Sequence, residues 1–229
     1  MKRNQNCLLG SRILVVCAHP DDEVFGLGGT LLLHSKNGSE IFVLIFSDGE
    51  SSRNISKNII EKRQNQAREA CKKIGIKKLK FLNYPDQKLD TIPLVELSKQ
   101  IETVIQEFRP DVVFTHHFGD VNQDHTKVFE ATLIATRPIP SINISKVICF
   151  EIPSSSEWGS YDRKFNPNLF IDIENELNQK LNILNIYKNE IRKFPHPRSL
   201  KSIKSRAQVW GSQVGCKYAE AFFILREII

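Results

Sequence analysis

The sequence of 229 residues lacks a long hydrophobic run, since its longest apolar segments are Ile13–Ala18 and Ile41–Phe46. Both are far shorter than the roughly 18 consecutive apolar residues that a membrane-spanning helix requires. The first ten residues carry two basic side chains but no apolar core, so we expect no secretory signal there. These absences predict a protein without an integral membrane segment, with the cytoplasm as its expected compartment.

Closely spaced cysteine pairs are also absent, because the five cysteines stand at positions 7, 17, 71, 149 and 216. This spacing indicates neither a disulfide framework nor a Cys-x-x-Cys metal knuckle. The sequence has no dense basic tract either. Its 32 Lys and Arg against 26 Asp and Glu give a net charge of +6. The basic residues are scattered, as on solvated helix faces, and we therefore expect no nucleic-acid partner.

Short β-branched runs alternate with amphipathic segments over the first 150 residues. The runs predict five strands, namely Arg12–Cys17, Ile41–Phe46, Leu79–Leu82, Asp111–Thr115 and Lys146–Ile152. Helical spacing of apolar residues predicts helices over 24–35, 59–74, 94–108 and 124–136. This alternation favours an α/β fold with a Rossmann-like, doubly wound and mostly parallel sheet, in the order 3-2-1-4-5, with helices on both faces.

The second half of the chain is less regular. Its apolar patterns predict a strand over Asn168–Ile173, a long helix from Leu177 to Ile191, a helix over 203–209 and a strand over 221–225. Phe194–Ser199 is a proline-punctuated loop. No repeat or long linker divides the sequence, so we expect residues 1–229 to form a single domain.

Two polar segments each follow a predicted strand directly. The first is Ala18–Glu23, with the sequence AHPDDE, and the second is His116–His125, with the sequence HHFGDVNQDH. Strands one and four are neighbours in a doubly wound sheet, and the loops after them diverge to open the crevice where ligands bind. We therefore expect His19, Asp21, Asp22 and His125 to lie within reach of one site.

Adjacent carboxylates repel each other, and a divalent cation is the simplest group that offsets their charge. Two histidines and one carboxylate form a frequent catalytic zinc set, in which the fourth position stays open for water. Non-haem iron uses the same ligand types. A carboxylate that does not bind the metal can accept a proton from that water. Side chains alternate along a strand, so only one of His116 and His117 is expected to face the site.

At these residues the sequence resembles the PIG-L/LmbE-type N-acetylglucosamine deacetylases. The similarity rests on AHPDDE and extends through FGLGGT at 25–30, FSDGE at 46–50, the THH…DH block at 115–125 and YAEAF at 218–222. It implies one zinc ion per chain, or another divalent metal such as Fe²⁺, held by His19, Asp22 and His125, with Asp21 as general base. The implied reaction hydrolyses the acetamide of a small-molecule amino-sugar conjugate. The resemblance also leaves room for a homo-oligomer.

The resemblance implies further site residues. Many family members carry a histidine three residues before the ligand that corresponds to His125, whereas this chain has Asn122, which cannot act as a general acid. The acid role is open between Asp21, which would return its proton, and His196 in the proline-punctuated loop. Asp124 is expected to orient a neighbouring histidine, to cap the following helix, or both. Candidate substrate-binding residues are Asp48, Glu50, Arg63, Asn122, Trp158 and Arg198.

Three alternatives stay open at this point. Gly26, Gly28 and Gly29 follow a strand as a phosphate-binding loop would, although their spacing is GxGG and not GxGxxG. A Rossmann-type nucleotide-binding module is therefore one alternative. The second is a non-catalytic interaction protein with the same fold. The third is a hydrolase that uses the same metal site on another acyl group or amide.

Overall fold

The computed structural model describes residues 9–53 and 57–229, so Cys7 lies outside the described residues. Seven strands and six helices make up the regular structure of this part of the chain. The strands are β1 Arg12–Cys17, β2 Glu40–Ser47, β3 Lys78–Tyr84, β4 Val112–His116, β5 Lys146–Phe150, β6 Leu169–Asp172 and β7 Ala219–Glu227. The helices are α1 Asp22–Lys36, α2 Lys57–Ile74, α3 Leu94–Phe108, α4 Gln123–Ala135, α5 Leu177–Leu184 and α6 Leu200–Gln213.

All seven strands form one sheet, in the order β3-β2-β1-β4-β5-β7-β6. The first five are parallel, which confirms the predicted order 3-2-1-4-5, and β7 runs antiparallel to both β5 and β6. At the centre of the sheet, Val15 pairs with Val43 on one side and with Phe114 on the other. None of the described helices is long and apolar enough to cross a membrane.

Helices cover both faces of the sheet, and alternate residues of β1 therefore enter two different cores. Ile13, Val15 and Cys17 pack in the core under α1 and α2. Leu14 and Val16 pack in the core under α3 and α4. Burial on both faces explains why the central strands are continuous apolar runs without polar alternation.

Helix α1 is interrupted at Leu27, whose φ of −144° and ψ of 21° are not helical. The interruption frees backbone groups, and two buried side chains from distant segments bind them. The Glu220 carboxylate accepts the N–H groups of Gly29 and Thr30 at 2.8 and 2.7 Å. The Lys180 ammonium donates to the Phe25 carbonyl at 2.9 Å and to Glu220 at 2.6 Å. Residues near the C-terminus thus fix the bend of the helix that follows AHPDDE.

The glycines of α1 serve close packing. A Cβ on Gly26 would lie 2.5 Å from the Phe150 ring, and one on Gly29 would lie 2.9 Å from Ile173. The Gly29 amide is already taken by the Glu220 carboxylate. This arrangement gives a packing reason for the GxGG pattern and leaves Gly29 without a free amide for a phosphate.

Glu220→Ala is expected to lower the free energy of unfolding by about 3–5 kcal/mol, because it leaves the buried Lys180 ammonium and two helix amides unpaired. Urea unfolding measures the loss. Glu227→Ala is the matched control, since Glu227 lies on the same strand and pairs with Lys146 at 3.2 Å near the surface. That variant is expected to lose about 1 kcal/mol or less. Equal losses in the two variants would contradict this account of α1.

The prediction of one long helix from Leu177 to Ile191 was wrong. Helix α5 ends at Leu184, and a short 3₁₀ turn, Asn185–Tyr187, follows it. The apolar spacing correctly indicated that these side chains are buried, but it did not show that they lie on a single helix. The chain turns here because Tyr187 is fully buried under α1, where its hydroxyl donates to Glu23.

Candidate metal centre

Three buried side chains converge where β1 and β4 end. His19 lies in the turn between β1 and α1, Asp22 is the first residue of α1, and His125 lies in the first turn of α4. The Nδ1 atom of His19 lies 3.1 Å from Nε2 of His125. Asp22 places Oδ2 3.5 Å from His19 Nδ1 and Oδ1 3.7 Å from His125 Nε2. One potential ligand atom from each residue thus lies within 4.8 Å of the other two, as the sequence predicted.

Local turns hold the two segments. The Asp22 carboxylate accepts the N–H of His19 at 2.8 Å, which closes the turn ahead of α1. At α4 the N-cap is Asn122, whose side-chain oxygen accepts the N–H of Asp124 at 2.9 Å. The alternative that Asp124 caps this helix was therefore wrong. Asn122 has the extended backbone that an N-cap requires, whereas Asp124 already lies inside the helix.

The ring nitrogens that face away from the cluster lie against carboxylates. His125 Nδ1 is 3.1 Å from Asp120 Oδ2. His19 Nε2 is 3.1 Å from Asp86 and 3.3 Å from Asp124. These carboxylates are themselves anchored: Asp124 accepts the N–H groups of Gln87 and Leu89, and Asp120 accepts the hydroxyls of Ser155 and Ser156. Carboxylates placed in this way orient metal-binding histidines and raise their basicity.

The electrostatics of the cluster suit a divalent cation. Burial by itself would raise the pKa of Asp22, but His125 and His116 outweigh it and hold that pKa well below its usual range. Asp22 Oδ1 is buried and has no hydrogen-bond partner among the described residues. Four buried carboxylates surround His19 and His125, namely those of Asp22, Asp86, Asp120 and Asp124. An open set of two nitrogens and one orphaned oxygen fits the ligand chemistry of Zn²⁺.

Asp21 lies next to the cluster but faces two arginines. Arg63, from α2, donates to Asp21 Oδ2 at 2.8 Å, and Arg198 Nη1 lies 3.4 Å from the same oxygen. Burial raises the pKa of Asp21, and both arginines oppose that shift. Arg63, predicted as a substrate-binding residue, is itself almost fully buried against Asp21.

The remaining predicted residues lie around the same end of the sheet. Asp48 accepts the N–H groups of Glu50 and Ser51, both at 2.9 Å, so its carboxylate shapes the loop after β2. Glu50 Oε1 lies 3.9 Å from the Arg63 guanidinium. Trp158 is 56% exposed, and its ring meets that of His196 edge to face, with centroids 6.2 Å apart.

His196 is fixed by its own turn. Its Nδ1 accepts the N–H of Arg198 at 3.1 Å, so the proton of the neutral ring is on Nε2. Nε2 is therefore the atom through which His196 can donate to a ligand.

Of the histidine pair after β4, only His116 borders the cluster. It accepts the N–H of Ala18 at 2.9 Å, and its ring stacks on that of His125 with centroids 4.0 Å apart. Burial, together with the neighbouring His125, lowers the pKa of His116 to about 4. His117 lies near the carbonyl of Arg163 instead. Strand alternation accounts for this split, as expected.

Four residues of the site were not among the predicted ones. Asp86 lies two residues after the end of β3, a position at the same edge of the sheet as the polar segments that follow β1 and β4. Asp120 lies within the second polar segment but was not among the candidate residues. Tyr187 and Glu190 come from the segment after α5, and no local pattern in the sequence connects that segment with AHPDDE.

The fold and the cluster together define a doubly wound α/β protein with a candidate metal centre at the switch point of its sheet. A family model described as PIG-L, GlcNAc-PI de-N-acetylase, matches residues 14–136, more than half of the chain. The chain belongs to this family.

Individual relatives agree with this assignment. The Bacillus cereus protein named probable N-acetyl-alpha-D-glucosaminyl L-malate deacetylase 2 is 30% identical over 56% of this chain and 62% of its own length. This chain thus spans less than two thirds of that relative. The Escherichia coli protein named uncharacterized deacetylase YaiS is 31% identical over 72% of this chain and 83% of its own. The structure of N,N'-diacetylchitobiose deacetylase from Pyrococcus horikoshii superposes with a TM-score of 0.78 at 21% identity, covering 95% of this chain and 85% of that one.

Proposed function

We propose that this protein is a metal-dependent N-deacetylase that hydrolyses the acetamide of an N-acetylglucosamine-type conjugate. The observation that carries the proposal is the open cluster of His19, Asp22 and His125 with the unliganded carboxylate of Asp21 beside it. Two of the names support the reaction, since they describe a probable N-acetylglucosaminyl malate deacetylase and a diacetylchitobiose deacetylase. In this proposal residues 1–229 form a single deacetylase domain.

His19 Nδ1, His125 Nε2 and Asp22 would hold one zinc ion per chain, with Fe²⁺ as the other metal that these ligand types accept. When bound, such an ion polarises a carbonyl and lowers the pKa of water from 15.7 to about 7. Asp120, Asp86 and Asp124 would keep the two imidazoles in the orientation and tautomer that binding requires.

Asp21 would act as general base through Oδ1. Within the described residues, the arginine contacts of this side chain involve Oδ2, which leaves Oδ1 for the proton. Asp21 would accept the proton of the attacking water and then return it to the amine that leaves. His196 Nε2 is the second candidate for that acid step. Trp158, exposed beside His196, offers an apolar face to the sugar.

The proposal is tested by measuring amine release from a panel of N-acetylglucosamine conjugates with zinc-loaded and chelator-stripped protein. The panel includes diacetylchitobiose, an N-acetylglucosaminyl malate and an N-acetylglucosaminyl inositol, together with N-formyl counterparts. Metal-dependent release from an acetylated conjugate is the expected result. Release from the N-formyl compounds alone would show that the enzyme removes a formyl group and not an acetyl group. No release with one zinc bound per chain would overturn the deacetylase proposal.

Asp120→Asn is expected to weaken zinc binding by about 10- to 100-fold, because the amide no longer fixes His125 as a carboxylate does. Competition with a chromophoric chelator measures the affinity. Asp111→Asn is the control, since Asp111 binds the Ser11 and Arg12 amides at the opposite end of the sheet. Wild-type affinity in Asp120→Asn would show that the carboxylate does not support the ligand.

A further inference from the structure

The turn after α5 lies against the AHPDDE segment and contacts it through Tyr187. Tyr187 donates its hydroxyl to Glu23 Oε1, and the other carboxylate oxygen of Glu23 accepts the N–H of Asp21 at 3.0 Å. The N–H of Glu190 donates to the Tyr187 carbonyl at 2.9 Å, which closes the turn. One turn thus presents both Tyr187 and Glu190 to the same region.

The backbone contact acts on a strained residue. Asp21 has a φ of 125° and a ψ of −23°, in a region that a residue with a side chain rarely adopts. Such a conformation persists only where the surroundings hold it in place. Glu23 and Tyr187, both fully buried, form the hydrogen-bond chain that holds the Asp21 amide.

Glu190 acts on the side chain of Asp21 through arginines. It is 2% exposed and lies between three guanidinium groups from separate segments. The nearest distances from its carboxylate are 3.2 Å to Arg53, 3.3 Å to Arg63 and 3.0 Å to Arg198. Arg63 and Arg198 are the two arginines that converge on Asp21 Oδ2. Like charges repel, and a carboxylate between these two guanidinium groups lets both approach one oxygen.

We propose that Tyr187 and Glu190 are positioning residues for Asp21: Tyr187 fixes its backbone through Glu23, and Glu190 fixes its carboxylate through Arg63 and Arg198. The inference rests on the proposed function, in which Asp21 takes the proton from water. In this arrangement the arginines bind Oδ2 of Asp21, which leaves Oδ1 to accept the proton from water. Neither residue touches the substrate or the reacting atoms in this account.

The main test compares Glu190→Gln with Glu151→Gln in zinc-loaded protein. Glu151 is a matched control, because it is also a buried carboxylate that binds an arginine, Arg206 at 2.7 Å, together with Trp210 at 2.8 Å. Misplacement of a reacting group by about 1 Å costs on the order of 100-fold in rate. Glu190→Gln is therefore expected to lower kcat by on the order of 100-fold, with KM and zinc content unchanged.

Conservative variants separate positioning from general stability. Glu190→Asp keeps the charge and is expected to recover part of kcat. Tyr187→Phe removes only the hydroxyl and is expected to lower kcat with KM unchanged. Glu151→Gln is expected to lose thermal stability and keep kcat. If Glu190→Gln and Glu151→Gln lose kcat equally, or if Glu190→Gln raises KM alone, the positioning role is wrong.

A second measurement needs no activity. In metal-free protein, a cycle of Asp21→Asn, Glu190→Gln and the double variant reports whether the two carboxylates share their arginines. The double variant is expected to lose more in Tm than the sum of the single losses, since each carboxylate partly replaces the other. Additive losses would overturn the inference. If the wild-type enzyme releases no amine, the proposed function fails and this cycle alone decides the coupling. If Glu190→Gln does not fold, Tyr187→Phe carries the test through its effect on kcat.

Discussion

Asp21→Asn is expected to reduce kcat by about 10²- to 10⁴-fold, the usual contribution of a general base. The amide has nearly the shape of the carboxylate and retains an oxygen for Arg63, but it cannot accept a proton from water. KM is expected to stay close to the wild-type value, because Asp21 acts on the water and not on the sugar. Steady-state amine release at saturating zinc measures both constants.

Zinc content is the internal control for this variant. Oδ2 of Asp21 is bound by Arg63 and Arg198, and Asp21 is not part of the group of potential ligands, so one equivalent of zinc is expected to remain bound. Loss of the metal in this variant would show that Asp21 is itself a ligand, and another residue would then have to be the general base. Full activity with zinc bound would remove Asp21 from the mechanism.

The sequence predicted those features that depend on local pattern or on topology. The central strands are mostly apolar, and their alternation with helices favoured the usual doubly wound order for the first five strands. The convergence of His19, Asp22 and His125 followed from that order alone, since polar residues after neighbouring parallel strands meet at one edge. Asp86 satisfies the same rule, so its omission was a failure to apply the rule to β3.

Other parts of the site depend on contacts that no local pattern records. Glu190 belongs to a segment with apolar helical spacing, and that spacing led to the wrong prediction of a helix through Ile191. Two of its partners, Arg53 and Arg63, lie far away along the chain, and only the tertiary fold brings them to Glu190. Glu220 is similar: the sequence marked YAEAF by resemblance, but only the bend at Leu27 shows which amides the carboxylate binds.

These contacts between segments that are far apart in the sequence all hold the N-terminal part of α1 in place. Asp21 and Asp22 lie at the start of this helix, where a small displacement would separate the general base from the ligand set. Lys180 binds the helix about one turn beyond them, at the Phe25 carbonyl, and Glu220 binds it about two turns beyond, at the Gly29 amide. Tyr187 holds the first turn through Glu23. Residues from Lys180 onward therefore support a site whose ligand atoms all come from residues 19–125.

Asp22→Asn is expected to abolish binding of one equivalent of zinc per chain. Asp22 supplies the anionic ligand of the set, and the amide oxygen that replaces it is neutral. Metal analysis after dialysis and titration calorimetry measure stoichiometry and affinity. In the wild-type protein, zinc at about 100 to 1,000 times its dissociation constant stabilises the fold by roughly 3–4 kcal/mol. That gain raises Tm, and in Asp22→Asn the rise is expected to disappear.

Asp120→Asn is the control in the same titration, since it alters the support of His125 and leaves all three ligands in place. Its Tm rise is expected to return at higher zinc concentration, whereas that of Asp22→Asn is expected to stay absent throughout. If Asp22→Asn still binds one zinc per chain, the metal would instead be held by the other group of potential ligands, His19, Asp86 and Asp124. In that case Asp21 would no longer lie beside the reacting water, and the proton acceptor would have to be sought among the carboxylates around His125.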